Sequence, residues 1–450
     1  MSQDSTPQQE LARGLKARHI LMIALGGAIG AGMFQGSSEA ISLAGPGVIF
    51  AYLIGGLILL FVMQGLAEMA VRNPQASTFR ELLDPILGRF AGYFAGWMYW
   101  LCWVLVMATE VTAAGMFLQY WFPDAPLWIL SLVISLAITG VNLLNVNVFG
   151  ETEFWFAGIK VAVLAVFTLL GLTLLFTGSG DQGAVGFTNL TSHGGLFPNG
   201  LSGVAAAMLV VMFSFGGTEM IGMTLGETEN PAEVVPRAAR NVIARILVFY
   251  VLPILVIVSL VPWQELGTAQ SPFVTVFSSV GIPYVGGIMN FVMLTAVISA
   301  ANTGMYAASR MLYSQAQVGQ APRLFTVLSK KRVPIRALLA STSFLYVGVI
   351  VAFFAKGNTF GYLMTIPGYS ILTVWIFLSL AHLLSRRKGF EPKGYYVKWF
   401  PLLPLLALLA LLVFLVSIVI TSPAPGTLVA VGTMVVIAIS YLFAVRAKRG

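Results

Sequence analysis

Cysteine, histidine and charge are all scarce in this chain: Cys102 is alone among 450 residues, there are three histidines, and charged residues make up 9%. A single thiol excludes an intramolecular disulfide and a cysteine metal cluster. His19 and His382 fall at the edges of apolar runs and His193 in a loop, so no metal site or catalytic triad is supported. Charge this sparse would leave a soluble domain without polar cover. Met1 to Glu10 lacks the basic, apolar, then small pattern of a cleaved signal, and residues 1–14 are expected to form a short disordered tail. No phosphate loop of the ATP-driven kind is present, and no connection is long enough to hold a soluble domain.

Hydrophobic residues instead supply 58% of the chain, and its mean hydropathy is +0.88. Apolar runs of at least about 18 residues, long enough to cross a bilayer as helices, predict an all-α integral membrane protein. Six spans are expected near Ile20–Leu43, Val48–Val71, Ala91–Trp121, Leu127–Val146, Phe154–Thr177 and Leu201–Leu225. Six more follow near Val242–Val261, Tyr284–Leu312, Ala337–Phe354, Phe360–Leu384, Trp399–Ile420 and Thr427–Val445, twelve in all. An even number of crossings returns both termini to one side, and short cytoplasmic loops collect the cations. Of the 25 Lys and Arg, 23 lie before span 1, in the 2–3, 6–7, 8–9 and 10–11 connections, or after span 12. Lys356 alone lies in an opposite loop, and Lys160 sits inside span 5. Both termini are therefore expected in the cytoplasm and the host membrane is expected to be the plasma (inner) membrane. The net charge of +8 is then a topology signal, and no nucleic-acid partner is implied.

Span 1 contains Gly26-Gly27-Ala28-Ile29-Gly30-Ala31-Gly32-Met33-Phe34-Gln35-Gly36, five glycines in eleven residues. Each costs about 1 kcal/mol relative to Ala inside a helix, and unwound backbone in a bilayer survives only where protein or a water-filled cavity satisfies it. Span 6 repeats the anomaly at Phe213-Ser214-Phe215-Gly216-Gly217-Thr218-Glu219. Gly-interrupted segments in corresponding positions of two halves mark an inverted-repeat transporter. Residues 15–178 (spans 1–5) and 201–387 (spans 6–10) read as the repeats, with 399–446 as two added helices, in one transporter domain. At such breaks, half-helix N-termini attract a carboxylate and half-helix C-termini an ammonium. A zwitterion matches both. Close packing of the small-xxx-small kind is the competing explanation, but it needs one glycine face and this cluster covers every face.

Gly27-Ala28-Ile29-Gly30-Ala31-Gly32-Met33-Phe34, the span 6 stretch above, Gly226-Glu227-Thr228-Glu229-Asn230-Pro231, and Glu153-Phe154-Trp155-Phe156-Ala157-Gly158-Ile159-Lys160 together resemble the amino acid–polyamine–organocation superfamily. Within it the chain is similar to bacterial and fungal amino acid permeases, from about Leu15 to Arg387 and more weakly over the last two spans. The resemblance implies a 5+5 inverted repeat of the leucine-transporter type, discontinuous in helices 1 and 6. It also implies a substrate α-carboxylate on the N–H groups of Ala31 and Gly32, with Gly30 beside them. The α-ammonium would meet carbonyls of Ala28, Ile29, Phe213 and Gly216, with Phe213 and Phe215 as aromatic gates. Ordinary apolar packing competes for both phenylalanines.

Glu110 lies near the middle of span 3, where a charge costs at least about 2.5 kcal/mol, so it must face the interior. Its expected role is to take up a proton or contact the substrate ammonium; the alternative is a protonated carboxyl bonded to a neighbouring helix. Lys160 stands shortly inside span 5, close enough to an end to snorkel. The resemblance instead gives it the place of the sodium ion of sodium-coupled relatives, touching the first half of span 1 and span 8 and coupling proton release to movement of span 1. Glu219 is expected to orient the unwound part of span 6 as a gate residue. Ser299 and Asn302 follow the family's span 8 pattern, with Tyr306 and Arg310 on the same face, and Glu68 is expected to pair with Arg72 or another nearby cation. The pocket around the zwitterion is expected to draw on Thr109, Gly115, Thr218, Ser299, Asn302 and Thr365 to Tyr369, none of which is a fixed counter-charge.

These residues predict a secondary transporter that takes up a neutral L-amino acid with a proton by alternating access. Its partners are that amino acid, the proton and the bilayer; no cofactor, metal or enzymatic chemistry is called for. The alternatives are an exchanger of amino acids, a permease for a cationic amino acid or γ-aminobutyrate, and a non-transporting amino acid sensor.

Overall fold

The structure is a computed structural model that describes residues 22, 29–144, 149–178, 183–225, 230–267, 271–279, 284–329, 332–354, 359–386, 394–421 and 424–446. Ala28 and its two preceding glycines, the Gly226-Glu227-Thr228-Glu229 part of the third motif, and Lys356 lie outside the described residues. Among the described residues the regular structure is helical, without strands. Among the described residues eight helices are long and apolar enough to cross a membrane, or nine if Pro231–Arg240 and Ala244–Leu260 form one bent span. The shortfall from twelve arises where helices are interrupted or short. The second half of span 1 is counted with span 2 as Gly36–Arg72, and Leu127–Gly140 and Gly200–Phe215, from spans 4 and 6, are apolar but shorter than a full crossing.

Span 3 (Arg89–Gln119) is the centre of the bundle, packed chiefly against span 8 (Val285–Gln317) and span 10 (Thr359–Ser385). Its apolar window is 78% buried, whereas those of spans 11 (Leu402–Thr421) and 12 (Ala424–Arg446) are 22% and 11% buried, which puts the last two helices at the lipid-facing rim. Small residues set the central spacing: a Cβ at Gly304 of span 8 would lie 2.8 Å from Met107 and 3.0 Å from Trp103 of span 3. Such close contacts supply the dispersion energy that holds helices together where no hydrophobic effect acts between them.

One end of the bundle is tied by a buried polar knot. Arg386 grips Glu68 with two charge-assisted bonds, Nε to Oε1 at 2.7 Å and Nη2 to Oε2 at 2.5 Å. His382 lies 3.2 Å from Oε2 and the Val397 N–H donates to the same oxygen at 2.8 Å. Arg72 donates to the Ser385 carbonyl at 3.3 Å, and the cation bonded directly to Glu68 is Arg386, one of the nearby cations expected for it. His382, which the sequence placed at a membrane edge, is buried in this knot. Removing one partner of a buried pair leaves the other charge uncompensated. Glu68→Ala is therefore expected to cost about 3–5 kcal/mol, read as a lowered thermal-unfolding midpoint in detergent, with a smaller drop for Glu68→Gln.

Candidate functional site

Span 1 breaks at Gly30. That residue is extended (φ −138°, ψ −152°), the turn Ala31–Phe34 follows, and the chain runs through Gln35 into Gly36–Ala44. The Gly30 carbonyl accepts the N–H groups of Met33 at 3.1 Å and Phe34 at 3.2 Å. The N–H groups of Ala31 and Gly32 come before any intrahelical acceptor and must find partners elsewhere. Span 6 breaks after Gly200–Phe215: Gly217 takes φ 104°, a left-handed conformation open to glycine, and a short 3₁₀ turn resumes over Thr218–Gly222. The two breaks touch. The Ser214 hydroxyl donates to the Gly32 carbonyl at 2.7 Å, and a Cβ at Gly32 would fall 2.7 Å from the Ser214 Cα and 2.9 Å from the Phe213 ring.

The Glu110 carboxylate spans the first break, accepting the Ala31 N–H through Oε1 at 3.0 Å and Oε2 at 2.9 Å. A Cβ at Gly30 would run into Oε1 and reach the Ala300 Cβ at 3.0 Å, so a side chain there would push the carboxylate from this position. Ala31 thus holds a carboxylate, and it belongs to the protein. Around it lies a cavity of about 20 Å³, bounded on the side of the breaks by Gly30, Gly32, Phe213, Ser214 and Gly216. Room for a water molecule needs about 10–15 Å³, and anything the size of an amino acid requires Glu110 and Phe213 to withdraw.

The remaining wall is Cys102, Trp103, Val106 and Ile371. Thr109, Gly115, Thr218, Ser299, Asn302 and Thr365 to Tyr369, expected from the sequence to shape it, are not among its described lining residues. Thr109 donates to the Leu105 carbonyl at 2.9 Å, Thr218 to the Phe215 carbonyl at 3.1 Å, and Tyr369 pairs with Thr427 at 3.1 Å. Gly115 packs against Ser131 and Leu127. Trp103 and Val106 precede Glu110 by seven and four residues, the spacing that puts them on its helical face; that signal was present in the sequence. Phe213 borders the cavity, but Phe215 is two residues and hence about 200° further round the helix. It packs edge-on against Tyr52 at 5.7 Å and Tyr250 at 4.9 Å, outside the described cavity lining. Ile29 is buried beside the break, Ala28 is outside the described residues, and Asn302 is half-buried in span 8, away from the described cavity lining.

Lys160 is buried, so snorkelling is excluded. Its Nζ is 3.8 Å from Glu153 Oε1, and the other Glu153 oxygen accepts the Ser299 hydroxyl at 2.6 Å. Ser299 therefore faces this pair and not the cavity. Span 5 meets span 8 here through Glu153 and Ser299; the first half of span 1, which Lys160 was expected to touch along with span 8, falls largely outside the described residues. Glu153 escaped the sequence reading as a site residue although it stands seven positions before Lys160, two turns along the same face. Glu219 is buried and accepts the Gly217 N–H at 3.1 Å, which fixes the left-handed residue of the break. Arg310 stacks 3.9 Å from the Tyr306 ring centre, as their spacing suggested.

A family profile described as amino acid permease matches residues 19–449. An uncharacterized amino acid permease of Bacillus subtilis, YvbW, is 52% identical over 96% of this chain and 97% of its own length. The gamma-aminobutyric acid permease of the same organism is 42% identical over 88% of this chain and 85% of its own. The aromatic amino acid transport protein AroP of Escherichia coli K12 is 40% identical over 97% and 96%. Among solved structures, MhsT in complex with L-phenylalanine superposes with a TM-score of 0.65 at 16% identity, over 91% of this chain and all of that one. That likeness shows a shared fold, the leucine-transporter type.

Proposed function

We propose, from the premise that this chain belongs to the amino acid permease family, that it imports a neutral L-amino acid with an apolar side chain together with a proton. Amino acid transport is the activity of the family; the substrate and the proton are our reading. Residues 15–178 and 201–387 would be the inverted repeats, with 399–446 added at the rim and both termini in the cytoplasm of a cell whose inner membrane holds the protein.

The observation that carries this reading is the Glu110 carboxylate on the Ala31 N–H. A substrate carboxylate would take those backbone donors and release Glu110, while its ammonium would meet the carbonyls of Phe213 and Gly216. The apolar side chain would lie against Trp103, Val106 and Ile371, which offer no charge to a basic or acidic side chain. Freed, Glu110 would turn to the substrate ammonium or toward Lys160. Glu110, Glu153 and Lys160 together carry one more acid than base, and an uncompensated buried charge is costly. One proton shared by the three would balance them, and its gain and loss would couple to movement of span 1.

Thermal-shift screening of the purified protein against the twenty amino acids and γ-aminobutyrate tests the substrate class. A ligand at a hundred times its Kd adds about 2.7 kcal/mol to stability, so apolar amino acids should raise the midpoint by several degrees. A response confined to lysine, arginine or γ-aminobutyrate would overturn this assignment. Glu110→Gln, which keeps the shape and removes the titrating group, is expected to bind substrate but to lose at least about tenfold in uptake, the scale of general acid–base effects. Proteoliposome uptake with wild-type rates would clear Glu110 of any part in the cycle.

A further inference from the structure

At the end of the bundle that carries the Glu68 knot, a second cavity of about 490 Å³ opens between span 2, the helix Pro231–Arg240 and the stretch leading into span 11. Its described lining carries two cations, Arg240 and Lys398, and no carboxylate. The Arg240 guanidinium is held 5.5 Å from the Tyr395 ring centre. Glu68, behind the Val397 wall, is engaged by Arg386, His382 and the Val397 N–H, and no described lining residue supplies a carboxylate to those cations. The cavity therefore calls for an anion.

The opposite wall says what kind. Trp399 and Leu403 line the cavity, and Trp399 is 68% exposed. From there the exposed face of Leu402, Leu406 and Leu409 continues along span 11, at the lipid-facing rim. Tyr396 and Trp399 are the amphipathic aromatics that favour the headgroup level. Cations beside an apolar, lipid-facing wall fit an amphiphile with an anionic head; a soluble phosphate would use one half of the site and leave the other idle.

We propose that this cavity binds an acidic phospholipid, with the phosphate on Arg240 and Lys398 and the acyl chains along span 11. Basic pockets between helices at a membrane surface take lipid headgroups in this way. The bound lipid would brace the Tyr395–Trp399 segment, which through Val397 ties span 11 to Glu68 of span 2 and Arg386 at the end of span 10.

Native mass spectrometry of the full-length protein in detergent, with equal phosphatidylglycerol and phosphatidylcholine added, tests this. Phosphatidylglycerol should be retained at least about fivefold over phosphatidylcholine, given the usual attraction per cation. Arg240→Ala/Lys398→Ala should bring the ratio to parity. Lys398→Glu, a single substitution that reverses one charge, serves as a second variant that should also lower it, and an unchanged amino acid thermal shift reports that each variant is folded. Excess glycerol phosphate should fail to displace the lipid. Equal retention of both lipids, a preference that survives in folded variants, or displacement by glycerol phosphate would overturn the assignment, the last by making the site one for soluble phosphate.

Discussion

Replacing Gly32 by Leu is expected to abolish amino acid binding in a protein that still inserts and folds. Gly32 faces the Ser214 Cα and the Phe213 ring so closely that even a Cβ would sit 2.7 and 2.9 Å from them. The first of these is backbone and cannot rotate away. A leucine must wedge the two breaks apart, and doing so misaligns the N–H groups of span 1 with the carbonyls of span 6. Overpacking of this kind costs about 1–3 kcal/mol in stability, which a bundle with a large buried core survives. The loss in binding should be far greater, because an ionic end of the ligand held by charge-assisted hydrogen bonds, worth about 1.5–3 kcal/mol each, would lose its partners. Equilibrium binding to the purified variant, alongside its elution profile and helical content, separates the two effects. Wild-type affinity in Gly32→Leu would remove the span 1 break from the substrate site.

Lys160→Ala is expected to eliminate acid-stimulated uptake while leaving binding within about threefold of wild type, a difference of under 1 kcal/mol. The ammonium is not part of the described cavity lining, so the substrate does not need it for affinity. It is, however, the cation facing Glu153 in the core, 3.8 Å away. Its removal leaves a buried carboxyl that must keep its proton or cost about 3–5 kcal/mol, and either outcome fixes the charge that was meant to cycle. Lys160→Met/Glu153→Gln separates coupling from folding: with both charges gone stability should recover, and the response to external acid should stay lost. Acid stimulation retained by the double variant would move the coupled proton to Glu110 or elsewhere.

The residues differ in how much of this was legible beforehand. Both breaks could be read because glycine in a helix is expensive and its clustering needs a reason; Gly30 is extended at the start of the Ala31 turn, and Gly216 and Gly217 carry the non-helical backbone between Phe215 and Thr218. Glu110 and Lys160 were visible because ionisable groups are rare within apolar spans. What remained hidden were pairings set by tertiary contact. Glu68 and Arg386 are separated by 318 residues, and nothing local says which of the nearby cations Glu68 grips. Ser299 was assigned to the cavity by pattern, yet its hydroxyl is claimed by Glu153 across 146 residues of sequence. The eight or nine full-length helices among the described residues differ from the twelve apolar runs for a related reason. Apolar runs reveal how much chain is membrane-compatible, whereas breaks and bends decide how it is divided into helices.

The most direct measurement is the binding of one apolar amino acid and its two truncated analogues, the amine lacking the carboxylate and the acid lacking the ammonium, to the purified protein. If Ala31 and Gly32 hold one end while Phe213 and Gly216 hold the other, each analogue should bind at least about a hundredfold more weakly, since losing one charged end forfeits about 2.7 kcal/mol or more. Either analogue binding as tightly as the parent would contradict the two-ended grip.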